Sequence, residues 1–270
     1  MVKVIITGVA GRVGSRILAL ALEAEDVAVV GAVEQADHPL VGTHIGVNSG
    51  TGNPGVIVES DLEHCIDNGD VIIDFTNHAA SVEHLKIVAA HHKSIVIGST
   101  GFSEGEHSQI KDMTRNAKCV LSPNMSMGVN IMFNVIASVA RILGNDYDME
   151  IVEAHHRLKK DAPSGTALKM ARILADSAGR DLNRDAVYHR QGMIGERSRD
   201  EIGIQTLRGG DIVGEHTVMF AGVGERLEIT HRAHNRDNFA RGAILAARWV
   251  VHQPFGLYDM GDVLGLANLS

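Results

Sequence analysis

The segment Glu153-Ala154-His155-His156-Arg157-Leu158-Lys159-Lys160-Asp161-Ala162-Pro163-Ser164-Gly165-Thr166-Ala167 carries the densest set of chemically competent side chains in the sequence. Two imidazoles beside several cations suit a site that holds a doubly negative ligand and delivers a proton near neutral pH. The pattern before it reads as a strand over 149–155 and the pattern after it as a helix over 166–178, so the segment is a strand-to-helix loop. Pro163 suits a first helical turn. Ser164, Gly165 and Thr166 would then offer main-chain N–H groups and hydroxyls to a carboxylate at the positive end of the helix dipole. Plainer readings exist for the same residues. Adjacent histidines alternate faces on a strand, so one can be packed, and Arg157 and Lys160 can be solvated. No metal is expected, because no Cys, Asp or Glu stands at a zinc-ligand spacing here.

A second constellation, Gly8-Val9-Ala10-Gly11-Arg12-Val13-Gly14, follows an apolar run over 2–7 and opens a helical pattern over 12–24. The Gly-x-x-Gly-x-x-Gly spacing is a variant of the dinucleotide fingerprint. It asks for a tight turn at Gly8, close approach to a pyrophosphate at Gly11, and helix-on-strand packing at Gly14. A glycine triplet alone also serves an ordinary tight turn. Glu34, closing a strand over 27–33, adds a carboxylate able to accept hydrogen bonds from an adenine-side ribose, though a solvated strand end looks the same. Gly98-Ser99-Thr100-Gly101-Phe102, after a strand over 94–97, would border the same crevice or form a plain strand-to-helix loop.

These sites need elements to hold them. Further buried runs at 71–75 and 119–121 interleave with helices at 80–91 and 106–115. Runs apolar on both faces, alternating with helices, imply a parallel sheet covered on both sides. Residues 38–54 are glycine-rich and read as a loop. After about residue 127 come a helix over 129–143, the strand and helix flanking the loaded loop, and strands over 202–207, 212–220 and 226–233. Gly-containing turns join these last three, which favours antiparallel pairing. A helix over 239–251 returns to the first domain. The expected fold class is α/β, a Rossmann-type N-terminal parallel sheet with a second α+β domain carrying a mixed or antiparallel sheet. Residues 1–126 plus 236–270 form the expected dinucleotide-binding domain, and 127–235 the substrate-binding and oligomerisation domain.

Composition narrows the partners. With 270 residues, 44% hydrophobic, the chain can bury a sizeable core, and a net charge of −8 argues against nucleic acid. Cys65 and Cys119 lie in unrelated segments and read as reduced, packed thiols. No signal-like leader and no apolar run of membrane-spanning length are found, so a soluble cytoplasmic protein is expected.

Taken together, the glycine triplet, 98–102, Ser122-Pro123-Asn124-Met125-Ser126-Met127-Gly128-Val129-Asn130, the loop 153–167, and the tail at 227–232 and 256–264 resemble the 4-hydroxy-tetrahydrodipicolinate reductase (dihydrodipicolinate reductase) family over essentially the whole chain. The resemblance implies reduction of 4-hydroxy-tetrahydrodipicolinate to tetrahydrodipicolinate by NADH or NADPH in the diaminopimelate route to lysine. It makes His155 the general acid/base and Lys159 a second proton donor that also pairs with a substrate carboxylate. His156, Ser164, Gly165, Thr166 and Arg236 would hold the dicarboxylate. Gly8, Val9, Ala10, Gly11, Arg12, Val13, Glu34, Gly98, Ser99, Thr100, Ser122, Pro123, Asn124 and Met125 would hold the cofactor. The family also implies a homotetramer built through the second domain's sheet. One position departs: many relatives place an arginine after the ribose-binding glutamate, whereas this chain has Gln35. Without that cation, and with Glu34 repelling a 2′-phosphate, NADH is expected to serve at least as well as NADPH, Arg12 being the remaining nearby cation. The alternatives are another two-domain nicotinamide dehydrogenase acting on an amino acid or semialdehyde, and a non-catalytic nucleotide sensor.

Overall fold

The computed structural model describes residues 1–45 and 55–266, so residues 46–54 of the expected loop lie outside the description. The chain opens with β1 (Val2–Thr7), α1 (Gly14–Glu23), β2 (Val27–Val33), β3 (His44–Ile45), β4 (Val56–Glu59) and β5 (Val71–Asp74). Next come α2 (His78–Ala90), β6 (Ser94–Ile97), α3 (Glu104–Met113), β7 (Lys118–Leu121) and α4 (Met127–Leu143). Then follow β8 (Asp148–His155), α5 (Gly165–Ala178), α6 (Leu182–Asp185), β9 (Ala186–Val187), β10 (Ile202–Arg208), β11 (Gly214–Ala221) and β12 (Arg226–Ala233). The last elements are α7 (Asp237–Val250), β13 (Gly256–Tyr258) and α8 (Met260–Val263). Two compact units result: Met1–Met127 with Arg236–Gly265, and Gly128–Asn235 with Leu266.

The first unit is built on a sheet of order β13-β7-β6-β5-β1-β2-β4-β3, parallel throughout except where β3 meets β4. Period-two alternation divides its side chains between two cores. Val4, Ile6, Ile73 and Val96 face Ile17 of α1 and Ala243 and Ala247 of α7. Ile5, Ile72 and Ile95 face Leu85 and Val88 of α2 and Ile110 of α3. This is the double coverage that apolar, β-branched strands require. Cys65 and Cys119 are buried free thiols in the second of these cores, and burial pushes the Cys65 thiol up to about 11. The helix starts differ from expectation. α1 begins at Gly14 instead of residue 12, and α3 begins at Glu104 behind a capping box in which Ser103 and Glu106 satisfy each other's main-chain N–H groups.

The second unit holds a sheet of order β12-β11-β8-β10-β9. The expected antiparallel pairing of three successive strands is only partly right. β11 pairs antiparallel with β12, but β10 lies on the other side of β8 and runs parallel to it. The connection from β10 to β11 instead passes the end of β8, where Gly209 N–H donates to His155 O at 2.9 Å and Arg157 N–H to Gly210 O at 3.2 Å. A short glycine turn permits a hairpin but does not compel one when a longer apolar strand competes for the central place. α4 and α5 cover one face, packing Ile136, Met170 and Leu174 against Ile151, Ile204 and Val218.

A further correction concerns length. Among the described residues one helical stretch, Met127–Asp146, is long and apolar enough to cross a membrane by size and composition. Its Val129, Met132, Phe133, Ile136 and Ala140 belong to the buried core of the second unit, which accounts for their apolarity.

The glycine triplet sets a testable packing constraint. A Cβ on Gly14 would stand 2.1 Å from Gly8 O, so Gly14→Ala is expected to cost about 1–3 kcal/mol of stability. Gly105, in the open first turn of α3 with its nearest neighbour 4.0 Å away, is the control: Gly105→Ala is expected to be neutral or to stabilise by about 0.5–1 kcal/mol. Urea denaturation distinguishes the two, and equal midpoints would contradict the close helix–strand approach.

Candidate active site

In the first unit the candidate cofactor residues gather at the carboxyl ends of parallel strands, where the sheet order changes direction between β1 and β5. Gly8 takes φ +72°, and a Cβ there would meet Phe75 O at 2.9 Å. One carboxylate oxygen of Glu34 accepts from Ala10 N–H at 2.9 Å and the other from Gln35 N–H at 3.0 Å. The strand-end carboxylate therefore clamps the glycine loop before any ribose is considered. No side chain caps the start of α1, which leaves its first turn to an anionic ligand. A cavity of about 290 Å³ lies against this loop, lined among others by Gly8, Gly11, Glu34, Gln35, Thr76 and His84. Its lining, among the described residues, includes no lysine or arginine. These features fit a dinucleotide: a close-approach glycine cradle, an open helix start and an acceptor for ribose hydroxyls.

Gly98, Ser99 and Thr100 follow β6, and Ser122, Pro123, Asn124 and Met125 follow β7, so both loops lie at the same edge of the sheet. A Cβ on Gly98 would collide with the Phe75 ring at 2.3 Å. Ser99 is buried and accepts from Ser81 Oγ at 2.9 Å. The side chains of Val9 and Met125 are in the core, so any part they take in binding falls to their main chain. Arg12 is exposed. Sequence reasoning missed Asp74, which has no exposure and fixes the cavity wall. It accepts from Thr76 N–H at 2.9 Å and Thr76 Oγ1 at 2.6 Å, and it pairs with His84 Nδ1 at 2.7 Å.

In the second unit, register determines which side chains meet. β8 and β10 pair with Glu153 opposite Thr206 and His155 opposite Arg208, while β11 sets His216 opposite Glu153. Alternation then places Glu153, His155, Thr206, Arg208 and His216 on one face. Glu153 has no exposure. Its carboxylate receives Arg208 in a two-pronged grip at 2.9 and 3.0 Å, Ser164 N–H at 2.9 Å, Thr206 Oγ1 at 3.2 Å, and His155 Nδ1 at 2.6 Å. Burial would raise this carboxyl, but the hydrogen bonds from His155, Arg208 and Ser164 outweigh it and hold it at about 2. His216 stands edge-on to His155 with centroids 5.1 Å apart and shares a 3.1 Å hydrogen bond with Ser164 Oγ. Burial first, and neighbouring His155 second, push His216 down to about 4.

The loaded loop differs in detail from expectation. Ser164 is the N-cap of α5, its hydroxyl accepting from Ala167 N–H at 3.2 Å, so Pro163 precedes the helix and is not in its first turn. The Ser164 N–H and hydroxyl are already engaged, which leaves Gly165, exposed, and Thr166, half-buried, as the outward part of the helix start. Lys159 Nζ pairs with the exposed carboxylate of Asp161 at 2.9 Å. His156 is half-buried, and its buried Nδ1 has no hydrogen-bond partner among the described residues. Arg236 is the N-cap residue of α7 and belongs to the first unit. Among the described residues no group of three His, Cys, Asp or Glu side chains is placed to hold a metal ion.

Residues 2–125 match the family described as dihydrodipicolinate reductase, N-terminus, and residues 128–264 match dihydrodipicolinate reductase, C-terminus. The chain is 59% identical over 268 residues to the 4-hydroxy-tetrahydrodipicolinate reductase of Syntrophus aciditrophicus (strain SB), covering 99% of this chain and 100% of that one. The chain belongs to the dihydrodipicolinate reductase family. The relative from Geotalea uraniireducens (strain Rf4) is 54% identical over 98% of this chain and 100% of its own. Among solved structures, the dipicolinate-bound dihydrodipicolinate reductase from Paenisporosarcina sp. TG-14 matches with a TM-score of 0.74 at 26% identity, over 96% of this chain and 97% of that one. An amine dehydrogenase from Mycobacterium smegmatis shares the fold only, at a TM-score of 0.58 and 16% identity, over 95% of this chain and 94% of that one.

Two buried groups with lowered values, Glu153 and His216, make the second unit sensitive to acid. Both have folded values below their ordinary ones, so each favours the folded state at higher pH and loses that contribution as pH falls. For His216 the loss runs from about 6.5 down to about 4, and for Glu153 from about 4.5 down to about 2. The unfolding free energy of the second unit is therefore expected to fall between pH 6.5 and 4 by up to roughly 3 kcal/mol, read from urea denaturation at each pH. His216→Gln should flatten that window; a variant with the same slope as the parent would contradict the assignment.

Proposed function

We propose that this chain reduces 4-hydroxy-tetrahydrodipicolinate to tetrahydrodipicolinate with a nicotinamide dinucleotide, as a cytoplasmic enzyme of the diaminopimelate route to lysine. The observation that carries the reading is the second unit's cluster: His155 held on a buried carboxylate, with Lys159 and the start of α5 on the same loop. The names of the relatives set the substrate class, and that cluster suits a small dicarboxylate. When bound in the glycine cradle, the nicotinamide supplies the hydride. The ring loses its 4-hydroxyl as water, takes the hydride at one end of the conjugated imine, and takes a proton at the enamine-like carbon. His155 donates that proton. Lys159 leaves Asp161 for a substrate carboxylate and serves as second proton donor. With Asp161 exposed, an ion pair of this kind holds by only about 0–1 kcal/mol, so the exchange costs little. His156, Ser164, Gly165 and Thr166 fix the rest of the dianion, Ser164 acting through the helix start it caps, and Arg236 adds a further cation.

NADH is proposed to serve at least as well as NADPH, because Glu34 and Gln35 line the cavity and its described lining includes no lysine or arginine. Assembly as a homotetramer through the second sheet, with no nucleic acid or membrane as partner, completes the proposal. The reading as an amino-acid or semialdehyde dehydrogenase gives no duty to the dianion receptor, and a nucleotide sensor gives none to His155.

The direct test follows absorbance at 340 nm with the substrate generated in place by a coupled synthase. His155→Gln and Lys159→Ala are each expected to lower kcat by about 100-fold or more while NADH binding stays within about twofold. Parent-like turnover in either variant would overturn the assignment. In the same assay the parent is expected to show kcat/KM with NADH equal to or above that with NADPH; a strong bias toward NADPH would overturn the role given to Gln35.

A further inference from the structure

We infer that Glu153 is a positioning residue that fixes the tautomer of His155, keeping a proton on Nδ1 and reserving Nε2 for exchange with the substrate. The inference deepens the proposed function and rests on it for the identity of the proton acceptor. Its geometry stands independently. An ionised carboxylate can accept hydrogen bonds but cannot donate them. The 2.6 Å contact between Glu153 Oε2 and His155 Nδ1 therefore requires Nδ1 to be the donor. The other ring nitrogen is left free of that duty. Gly214 lies beside it, and a Cβ there would stand 3.1 Å from Nε2, so the missing side chain leaves the nitrogen room.

The carboxylate is itself held from several elements. Arg208 of β10 grips both oxygens and donates also to Asp161 O at 2.6 Å, and Thr206 adds a hydroxyl. Ser164 N–H ties Glu153 Oε1 to the cap of α5. One buried anion thus sets the acid and the helix start in a fixed relation, as outer partners do for histidine ligands in metal sites. The charged and titratable groups around His155 are Glu153 on its own strand, Arg208 on β10, His216 on β11, His231 on β12 opposite His216, and Lys159 from the loop. Among the described residues Glu153 is the carboxylate hydrogen-bonded to the ring, so its removal takes away the acceptor that holds the Nδ1 proton.

In the full-length chain, Glu153→Gln is expected to lower kcat about 10- to 100-fold, leave NADH binding unchanged, and move the alkaline limb of the kcat profile to lower pH. A loss of packing alone would not move that limb. A folded Glu153→Gln protein with parent kcat and an unmoved limb would overturn the inference. Arg208→Lys, which keeps the charge but loses the two-pronged grip, should show the same changes on a smaller scale; an unmoved limb there would also count against it. The unsubstituted protein gives a second readout. With ¹⁵N-labelled histidine, the resonance assigned to His155 by its loss in His155→Gln should report a neutral ring protonated on Nδ1. An Nε2-protonated ring would overturn the inference without touching the functional reading, whereas absence of turnover in the parent would strike the functional reading alone.

Discussion

A carboxylate with no exposure is the constraint around which the second unit is arranged. Left unpaired, an ion at that depth costs several kcal/mol, so Glu153 is tolerable only with its full set of donors. Those donors come from three elements: Arg208 and Thr206 from β10, Ser164 from the cap of α5, and His155 from the same strand. Each can reach the carboxylate because β8 and β10 run parallel in a register that puts 153 opposite 206 and 155 opposite 208. The central place of β8 is thus bound up with the chemistry. A hairpin between β10 and β11 would remove β10 from the side of β8 and with it the arginine.

The two units share one construction. Each ends a strand in a loop whose following helix presents its N-terminus, and each uses a carboxylate to hold that loop. In the first unit Glu34 clamps Ala10 and Gln35; in the second Glu153 clamps Ser164. The difference lies in the remaining charges. The glycine cradle relies on main-chain approach, as the crowding at Gly8 and Gly14 requires, and its described cavity lining has no lysine or arginine. The loop at 153–167 adds Lys159 and its neighbours, which suits a compact dianion better than an extended dinucleotide.

Much of this was legible in the sequence. The β-branched runs of the first unit announced a doubly covered parallel sheet because they are apolar on both faces, and Val4, Ile5 and Ile6 do divide between two cores. The loaded loop stood out by composition. What could not be read was burial of a charge: Glu153 was in view, yet nothing local separates a buried glutamate from an exposed one. Arg208 carries no local signal, and the partner that explains it lies 55 positions away. Strand order in the second unit was misjudged because nearness in sequence outweighed the competition for β8. Asp74, closing an apolar strand as Glu34 does, carried a signal that was passed over, as did the Ser103–Glu106 capping box.

The receptor role of the loop is tested most directly by a crystal structure of the chain with NADH and pyridine-2,6-dicarboxylate. The account predicts one ligand carboxylate at the main-chain N–H groups of Gly165 and Thr166, the ring beside His155 Nε2, and Lys159 moved from Asp161 onto the ligand. A dicarboxylate bound elsewhere, with Lys159 still paired to Asp161, would contradict it.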